Sequence, residues 1–290
     1  MSIPREVSDL IALALSEDLG STADPSGDVT SRAFIPADSL SQANIVARSA
    51  CVASGLDTAL ESFRRVDPSL ELTLHCDEGA LMPAGSTLIT VRGSTRSILS
   101  AERTALNFLG RLCGIATLSR RYAEAVRGSN VKLLDTRKTT PGWRLLEKQA
   151  VKAGGCVNHR LGLYDAVLVK DNHLAALGDL ALLPPVIAQI RKEHPGVAIE
   201  IEADTLDQVE QLIRMPGIDV ILLDNMSCEL MGEVVALRDS LAPHILLEAS
   251  GGVTLESVPK IAATGVDRIS VGALTHSAVN ADLSLEIETP

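Results

Sequence analysis

The sequence is nearly devoid of aromatic residues: one Trp, two Tyr and three Phe among 290 residues. Single-stranded nucleic acid is bound by stacking bases on aromatic rings, so the chain has little to offer that function. Positive charge is also short. Lys and Arg number 26 against 37 Asp and Glu, a formal net charge of −11, whereas phosphate backbones select basic proteins. No apolar stretch reaches the ~20 residues that span a bilayer. No apolar run with basic flanks stands at the N-terminus, so neither a membrane span nor a signal peptide is expected. The five cysteines, Cys51, Cys76, Cys113, Cys156 and Cys228, form no C-x-x-C pair. Such a scattered, odd set reads as reduced thiols of a cytoplasmic protein. Cys156 follows Gly154-Gly155 and precedes His159, which makes it a candidate nucleophile, but a small residue in a tight loop is the simpler reading.

What the chain does have is aliphatic bulk. Apolar residues make up 46%, enough to bury a sizeable core. Val7, Leu10, Ile11, Leu13 and Ala14 recur at helical spacing and predict a helix over 5–19. The Gly-, Ser-, Asp- and Pro-rich stretch 20–30 predicts a loop. Strand-like runs at 43–47, 70–75 and 87–91, with a helix over 58–66, suit a small α+β sandwich domain. A long helix is predicted over 97–126. Arg103, Asn107, Gly110 and Gly114 form one stripe along it at i, i+4, i+7 and i+11, although each interior glycine costs the helix ~1 kcal/mol relative to Ala. The stripe fits either a tight intramolecular contact below a solvated arginine, or another backbone into which Arg103 points.

From residue 131 onward the pattern alternates. Buried-strand runs at 131–134, 166–169, 197–201, 220–223, 245–247 and 268–271 are separated by helical segments at 143–152, 185–192, 206–214, 229–241 and 255–263. Repeated βα units imply a parallel sheet. No G-x-G-x-x-G follows any strand, so a dinucleotide fold has no support. Gly251-Gly252 after a late strand suits the phosphate end of a barrel. The pattern gives an α/β fold behind a smaller N-terminal α+β domain, and leaves open sheet against barrel to further evidence.

The chemistry lies where the strands stop. The six strand ends carry Asp135-Thr136-Arg137-Lys138, Lys170-Asp171-Asn172-His173, Glu200 with Glu202 and Asp204, Asp224-Asn225, Glu248 followed by Ser250-Gly251-Gly252, and Gly272. In a parallel α/β fold these ends share one rim, where ligands bind. A single charged strand end is usually a cap or a salt bridge; six in succession point to an active site. From Asp135 to His173 there are seven Lys/Arg against four Asp/Glu, a basic stretch in an acidic chain. Arg137, Arg160 and Lys170 suit carboxylate or phosphate, and their clustering implies a ligand with more than one negative charge. Glu202 and Asp224 fit either a general acid and base or oxygen ligands for Mg²⁺, which takes one or two carboxylates plus substrate phosphates. Ser250-Gly251-Gly252 can turn backbone N–H groups to a phosphate. With Lys138, these elements suggest a Mg²⁺-bound sugar diphosphate.

Longer phrases go further. LSEDLG, GDVTS, ERTALNFLGRLCGIAT, DTRKTTPGWR, KQAVKAGGCVNHRLGLYDAVLVKDNHL, EIEADTLDQ, ILLDNM, LEASGGV and VGALTHS together resemble the quinolinate phosphoribosyltransferase family over nearly the whole chain; only residues 21–28 look slightly extended. The resemblance implies an α/β fold, an incomplete, open, TIM-like parallel barrel over 111–275 with a smaller N-terminal α+β sandwich domain over 1–110 and a C-terminal segment over 276–290, in a homodimer with active sites at its interface. It also implies a reaction joining quinolinate to phosphoribosyl pyrophosphate (PRPP) with Mg²⁺, giving nicotinate mononucleotide, pyrophosphate and CO₂. It assigns Thr136, Arg137, His159, Arg160 and Lys170 to quinolinate, with Arg103 supplied by the second subunit, which would settle the helix stripe as an interface. It assigns Lys138 and Asp171 to PRPP, Glu202 and Asp224 to Mg²⁺ or the ribose, and Ser250, Gly251, Gly252, Val271, Gly272 and Ala273 to the 5′-phosphate. Lys138, Glu202 and Asp224 would be the catalytic set. A phosphoribosyltransferase for another aromatic acid, or a silent binding protein on the same fold, are the alternatives. A ligand with one carboxylate would need fewer cations, and a silent protein would have lost Lys138, Glu202 or Asp224.

Overall fold

The computed structural model describes residues 3–20 and 27–288. Most of the loop expected over 20–30, and of the extension over 21–28, therefore lies outside the described residues. The chain forms two compact units: residues 1–120, 139–155 and 274–290 make the first, and residues 121–138 and 156–273 the second.

In the first unit the helix Arg5–Leu19 buries Val7, Ile11, Leu15 and Leu19, a four-residue repeat that keeps one face toward the core. The strands are β1 (Leu40–Ala47), β2 (Cys51–Val52), β3 (Glu71–Leu74), β4 (Leu81–Met82) and β5 (Thr87–Ser94). β2 and β4 form a two-stranded ribbon. The larger sheet is antiparallel; β1 pairs with β5 and β5 with β3. On its other edge β1 pairs with a C-terminal strand, Leu283–Ile287, Ala43 standing opposite Ile287. The sequence reading left residues 276–290 without structure of their own. That strand is five residues long and its partner lies some 240 positions away, so no local pattern announces it.

The predicted long helix is Thr95–Ala125. Its two glycines take a close approach from within the chain. A Cβ on Gly114 would stand 2.1 Å from the carbonyl oxygen of Val279, and one on Gly110 would stand 3.3 Å from that of Ala281. The Ala281 N–H also donates to the Gly110 carbonyl at 2.8 Å. The two glycines admit the chain's own C-terminal segment, because no side chain leaves room for a backbone at that distance.

The second unit holds a six-stranded parallel sheet: β6 (Lys132–Leu134), β7 (Ala166–Val169), β8 (Ala198–Ala203), β9 (Val220–Asp224), β10 (Leu246–Ser250) and β11 (Arg268–Ser270). The hydrogen-bonded order is β6-β11-β10-β9-β8-β7. Each strand from β7 to β11 lies beside its successor, and the last lies beside the first. That order is cyclic with one seam, between β6 and β7, where the chain leaves this unit for residues 139–155. It is the order of an α/β barrel opened at one joint, as expected; a doubly wound sheet would reverse direction at a switch point.

Two copies of one device fix the strand register at the N-terminal end. In Gly217-Ile218-Asp219 and Gly265-Val266-Asp267 the aspartate precedes a strand. Asp219 accepts the Ile199 N–H at 2.7 Å and pairs with Arg191. Asp267 accepts the Leu247 N–H at 2.8 Å and pairs with Arg238 at 2.6 Å. Each carboxylate thus ties one strand to its neighbour and both to a helix. Among the described residues no single helix is long and apolar enough to cross a membrane.

Two glycine substitutions test the packing. Gly114→Ala gains ~1 kcal/mol of helix propensity but forces a methyl into the backbone of residue 279, and overpacking costs ~1–3 kcal/mol; a net loss is expected. Gly232→Ala, on the helix Cys228–Leu241 with nothing within 4 Å of the added carbon, is expected to gain up to ~1 kcal/mol. Thermal midpoints of the two variants should move in opposite directions.

Candidate active site

Strand alternation sets the site's polarity. On β8, Ile199 and Ile201 face one way, fully buried, and Glu200 and Glu202 the other. On β10, Leu247 and Ala249 alternate with Glu248 and Ser250. The carboxylate-bearing faces converge on the inside of the open barrel. There a cavity of about 490 Å³ is lined by Thr136, Arg137, Lys138, His159, Arg160, Leu168, Lys170, His173, Leu222, Glu248, Ser250 and Ser270, with Leu163 at its side. The structure therefore brings together Thr136, Arg137, Lys138, His159, Arg160, Lys170 and Ser250 from the residues picked out in the sequence.

The cations hold one another under tension. Burial lowers the pKa of the Arg160 guanidinium and the charge of nearby Arg137 lowers it further, with Glu200 and Asp165 acting in the opposite sense. Arg160 is tethered through Nη1 to the Ala166 carbonyl at 3.1 Å. Lys170 reaches Glu202 at 3.8 Å. Two guanidiniums that raise each other's energy in one cavity are relieved by an anion between them.

A second group is acidic. Glu202, Asp204 and Asp224 place carboxylate oxygens within 4.8 Å of one another. Burial raises the Glu202 pKa; the Asp171 N–H, donating at 3.2 Å, and Lys170 lower it, while Asp224 and Asp171 push it up again. Asp204, named with Glu202 among the strand-end residues, completes this group one residue beyond the strand. Asp171 begins the short helix Asp171–Leu177 and touches Glu202 through its backbone.

A third group, mostly outside the sequence-derived site, forms the floor. His159 Nε2 lies 3.2 Å from Glu200 and 3.4 Å from Glu248. Its Nδ1 accepts the Arg160 N–H at 2.7 Å, and its own N–H donates to Asp135 at 2.8 Å. Both ring nitrogens are engaged with protein groups, so the geometry gives His159 a place in the scaffold beneath Arg160 while it also lines the cavity. Burial lowers its pKa, but the Glu200 and Glu248 carboxylates raise it by holding the proton on Nε2. The Arg160 amide opposes the second proton, because N–H groups facing at 2.7 Å would repel.

The glycine positions are conformational. Gly251 and Gly252 have φ of +98° and +56°, the left-handed region that favours glycine. A Cβ on Gly251 would meet the Asn225 side-chain oxygen at 2.1 Å. Asn225 is itself at φ +54° and donates its N–H to the Ser250 carbonyl at 2.9 Å. The helix expected over 255–263 begins only at Val258, so Gly251-Gly252 opens a turn. Val271 donates its N–H to the Leu134 carbonyl, and Gly272 precedes the short helix Ala273–His276. Arg103, on the first unit's long helix, has a side chain 65% exposed and stands 4.0 Å from Glu102. Cys156 is buried and, like the other four cysteines, is not disulfide-bonded.

Cations over a cavity at the strand ends of an open parallel barrel, with a carboxylate cluster on the same rim, define a class: barrel enzymes acting on small anions. Comparison makes the class particular. Residues 115–286 match the quinolinate phosphoribosyl transferase C-terminal domain and residues 28–113 its N-terminal domain. The carboxylating nicotinate-nucleotide pyrophosphorylase of Mycobacterium leprae (strain TN) is 40% identical over 282 residues, covering 96% of each chain. A probable enzyme of the same name from Bacillus subtilis (strain 168) is 39% identical, over 93% of this chain and 90% of its own. Among solved structures, the nicotinate-nucleotide pyrophosphorylase of Ehrlichia chaffeensis superposes with a TM-score of 0.89 at 36% identity, over 99% of this chain and 100% of that one. That of Francisella tularensis gives 0.89 at 34%, over 99% and 98%. The chain belongs to the quinolinate phosphoribosyltransferase family.

Proposed function

We propose that the chain transfers the phosphoribosyl group of PRPP to quinolinate with loss of CO₂, giving nicotinate mononucleotide and pyrophosphate in NAD biosynthesis. The observation that carries the assignment of the cavity is its four lining cations, Arg137, Lys138, Arg160 and Lys170, gathered in one space. A dicarboxylate supplies two anions to these cations; a monocarboxylate leaves positive charge facing positive charge. Thr136 and Lys170 complete the quinolinate side. Lys138, Asp171, Ser250, Gly251, Gly252, Val271, Gly272 and Ala273 are assigned to PRPP and its phosphate, from their place on the strand-end rim.

The carboxylates Glu202, Asp204 and Asp224 form an all-oxygen set, which fits Mg²⁺. When bound with PRPP, the ion supplies charge to offset the pyrophosphate leaving group. The chain's own residues do the rest. Lys138 meets the anion developing on the leaving pyrophosphate. Arg137, Arg160 and Lys170 orient the pyridine ring so that its nitrogen faces the ribose carbon. Bond formation makes that nitrogen cationic, and its positive charge stabilises the carbanion left on the adjacent ring carbon when the 2-carboxylate departs as CO₂; a proton from solvent then fills that position. No covalent nucleophile is required, in keeping with buried Cys156. We read the protein as cytoplasmic, and as a homodimer with Arg103 reaching the second subunit's site.

The direct test is an assay with quinolinate, PRPP and Mg²⁺. Nicotinate mononucleotide and CO₂ are expected in equal amounts. Nicotinate in place of quinolinate should bind weaker by several kcal/mol, about the cost of stranding a buried charge; equal affinities by calorimetry would remove the dicarboxylate assignment.

Asp224→Asn separates an electrostatic role from proton transfer. The variant should need more Mg²⁺ and PRPP while quinolinate affinity and the shape of the pH–rate curve stay unchanged. Loss of one limb of that curve with PRPP affinity intact would mean general acid–base chemistry instead.

The shared site is tested by mixing. Arg103→Ala and Lys138→Ala proteins, each inactive, should regain partial activity once subunit exchange is demonstrated with differential tags, because a mixed dimer holds one site free of both lesions. Exchange without recovered activity would exclude donation of Arg103 across the interface.

A further inference from the structure

Glu200 and Glu248 are buried carboxylates with no part in the scheme above. Their side chains are 4% and 0% exposed, and that of His159 between them is 11% exposed. Burying two carboxylates side by side is costly unless a donor stands between them. His159 Nε2 is that donor, 3.2 Å from Glu200 and 3.4 Å from Glu248. At the longer distance, and with neither Glu248 oxygen hydrogen-bonded among the described residues, Glu248 acts on the ring by its charge, while Glu200 accepts the proton.

The ring's other nitrogen leads toward the cavity. Nδ1 accepts the Arg160 N–H at 2.7 Å, which leaves no room for a proton there. Asp135, fully buried, holds the same segment from the far side, accepting the His159 N–H at 2.8 Å and the Asn158 side-chain amide at 2.6 Å. The peptide that carries Arg160 is therefore fixed at both faces by buried carboxylates, one acting directly and two through the imidazole.

We propose that Glu200 and Glu248 are positioning residues for substrate binding. They hold His159 in the tautomer protonated at Nε2, and the ring in turn fixes the Arg160 backbone and so the direction of its guanidinium. The proposal rests on the reading that Arg160 grips a quinolinate carboxylate. A merely space-filling role would be indifferent to which ring nitrogen bears the proton.

The test uses the full chain labelled with ¹⁵N-histidine. His159 is assigned by the signal lost in His159→Gln, and its tautomer is read from two-bond ¹H–¹⁵N correlations. The wild type should show a proton on Nε2 and a bare Nδ1; a proton on Nδ1, or on both nitrogens near neutral pH, overturns the proposal without any need for a variant to fold. Glu200→Leu removes the acceptor and should disturb this pattern. It should raise KM for quinolinate by about tenfold or more while KM for PRPP stays within about twofold, since a small misaim of one cation is costly. Glu200→Gln, which keeps an acceptor oxygen, should recover much of the loss, and Glu248→Leu should show a smaller effect of the same kind. Folded Leu variants with unchanged quinolinate KM overturn the proposal. If Arg160→Lys also leaves quinolinate KM unchanged, the failure lies in the assignment of Arg160, and the tautomer result stands by itself.

Discussion

A barrel that leaves one seam unpaired exposes two strand edges, and the polar backbone along each must find partners. On the β6 side that partner is Val157. Its N–H donates to the Leu133 carbonyl at 2.8 Å and its carbonyl accepts the Asp135 N–H at 3.2 Å, a parallel bridge of a single residue. The next three residues are Asn158, His159 and Arg160. The bridge delivers them to the mouth of the barrel, where the Asp135 carboxylate, one residue beyond the strand, takes hold of two of them. The cation that faces Arg137 is thus placed by the same contact that seals the edge.

The inside of this barrel departs from the usual filling of branched aliphatic layers. Glu200, Glu202 and Glu248 are buried there, and Asp135 adjoins them. The aliphatic residues of the same strands, Ile199, Ile201, Leu223, Leu247 and Ile269, lie on the opposite face and are fully buried. Stability comes from that outer layer, which frees the inner one for charge. The inner layer is graded: carboxylates around an imidazole at the floor, guanidiniums and lysines above them, and a separate trio of carboxylates on the rim of β8 and β9.

Much of this was legible because parallel strands buried on both faces leave continuous apolar runs, and each run ended on a polar cluster. All six strands and most of the cavity's cations follow from that single pattern. What escaped has particular causes. Glu200 and Glu248 stand among the polar strand ends, but the pattern alone gives them no task; their pairing about His159 exists only once the strands are assembled. The helices Val29–Phe34 and Asp171–Leu177 are too short for periodicity to show. Gly110 and Gly114 announced a close approach correctly, but glycine spacing does not say whose backbone approaches. The C-terminal strand depends on a partner more than two hundred residues earlier, a relation that exists only after folding.

That last pairing imposes an order of events on a chain made from its N-terminus. β1 emerges early, meets β5 within about fifty residues, and then waits with its other edge bare while the whole βα series is synthesised. All six parallel strands have been made by residue 270, before the strand Leu283–Ile287 exists. On the ribosome, the open edge of β1 is a template for the β-strands of any neighbouring nascent chain. Its half-buried polar residues Gln42 and Asn44, alternating with buried Ala43 and Ile45, make that edge a poor match for apolar strands during the wait.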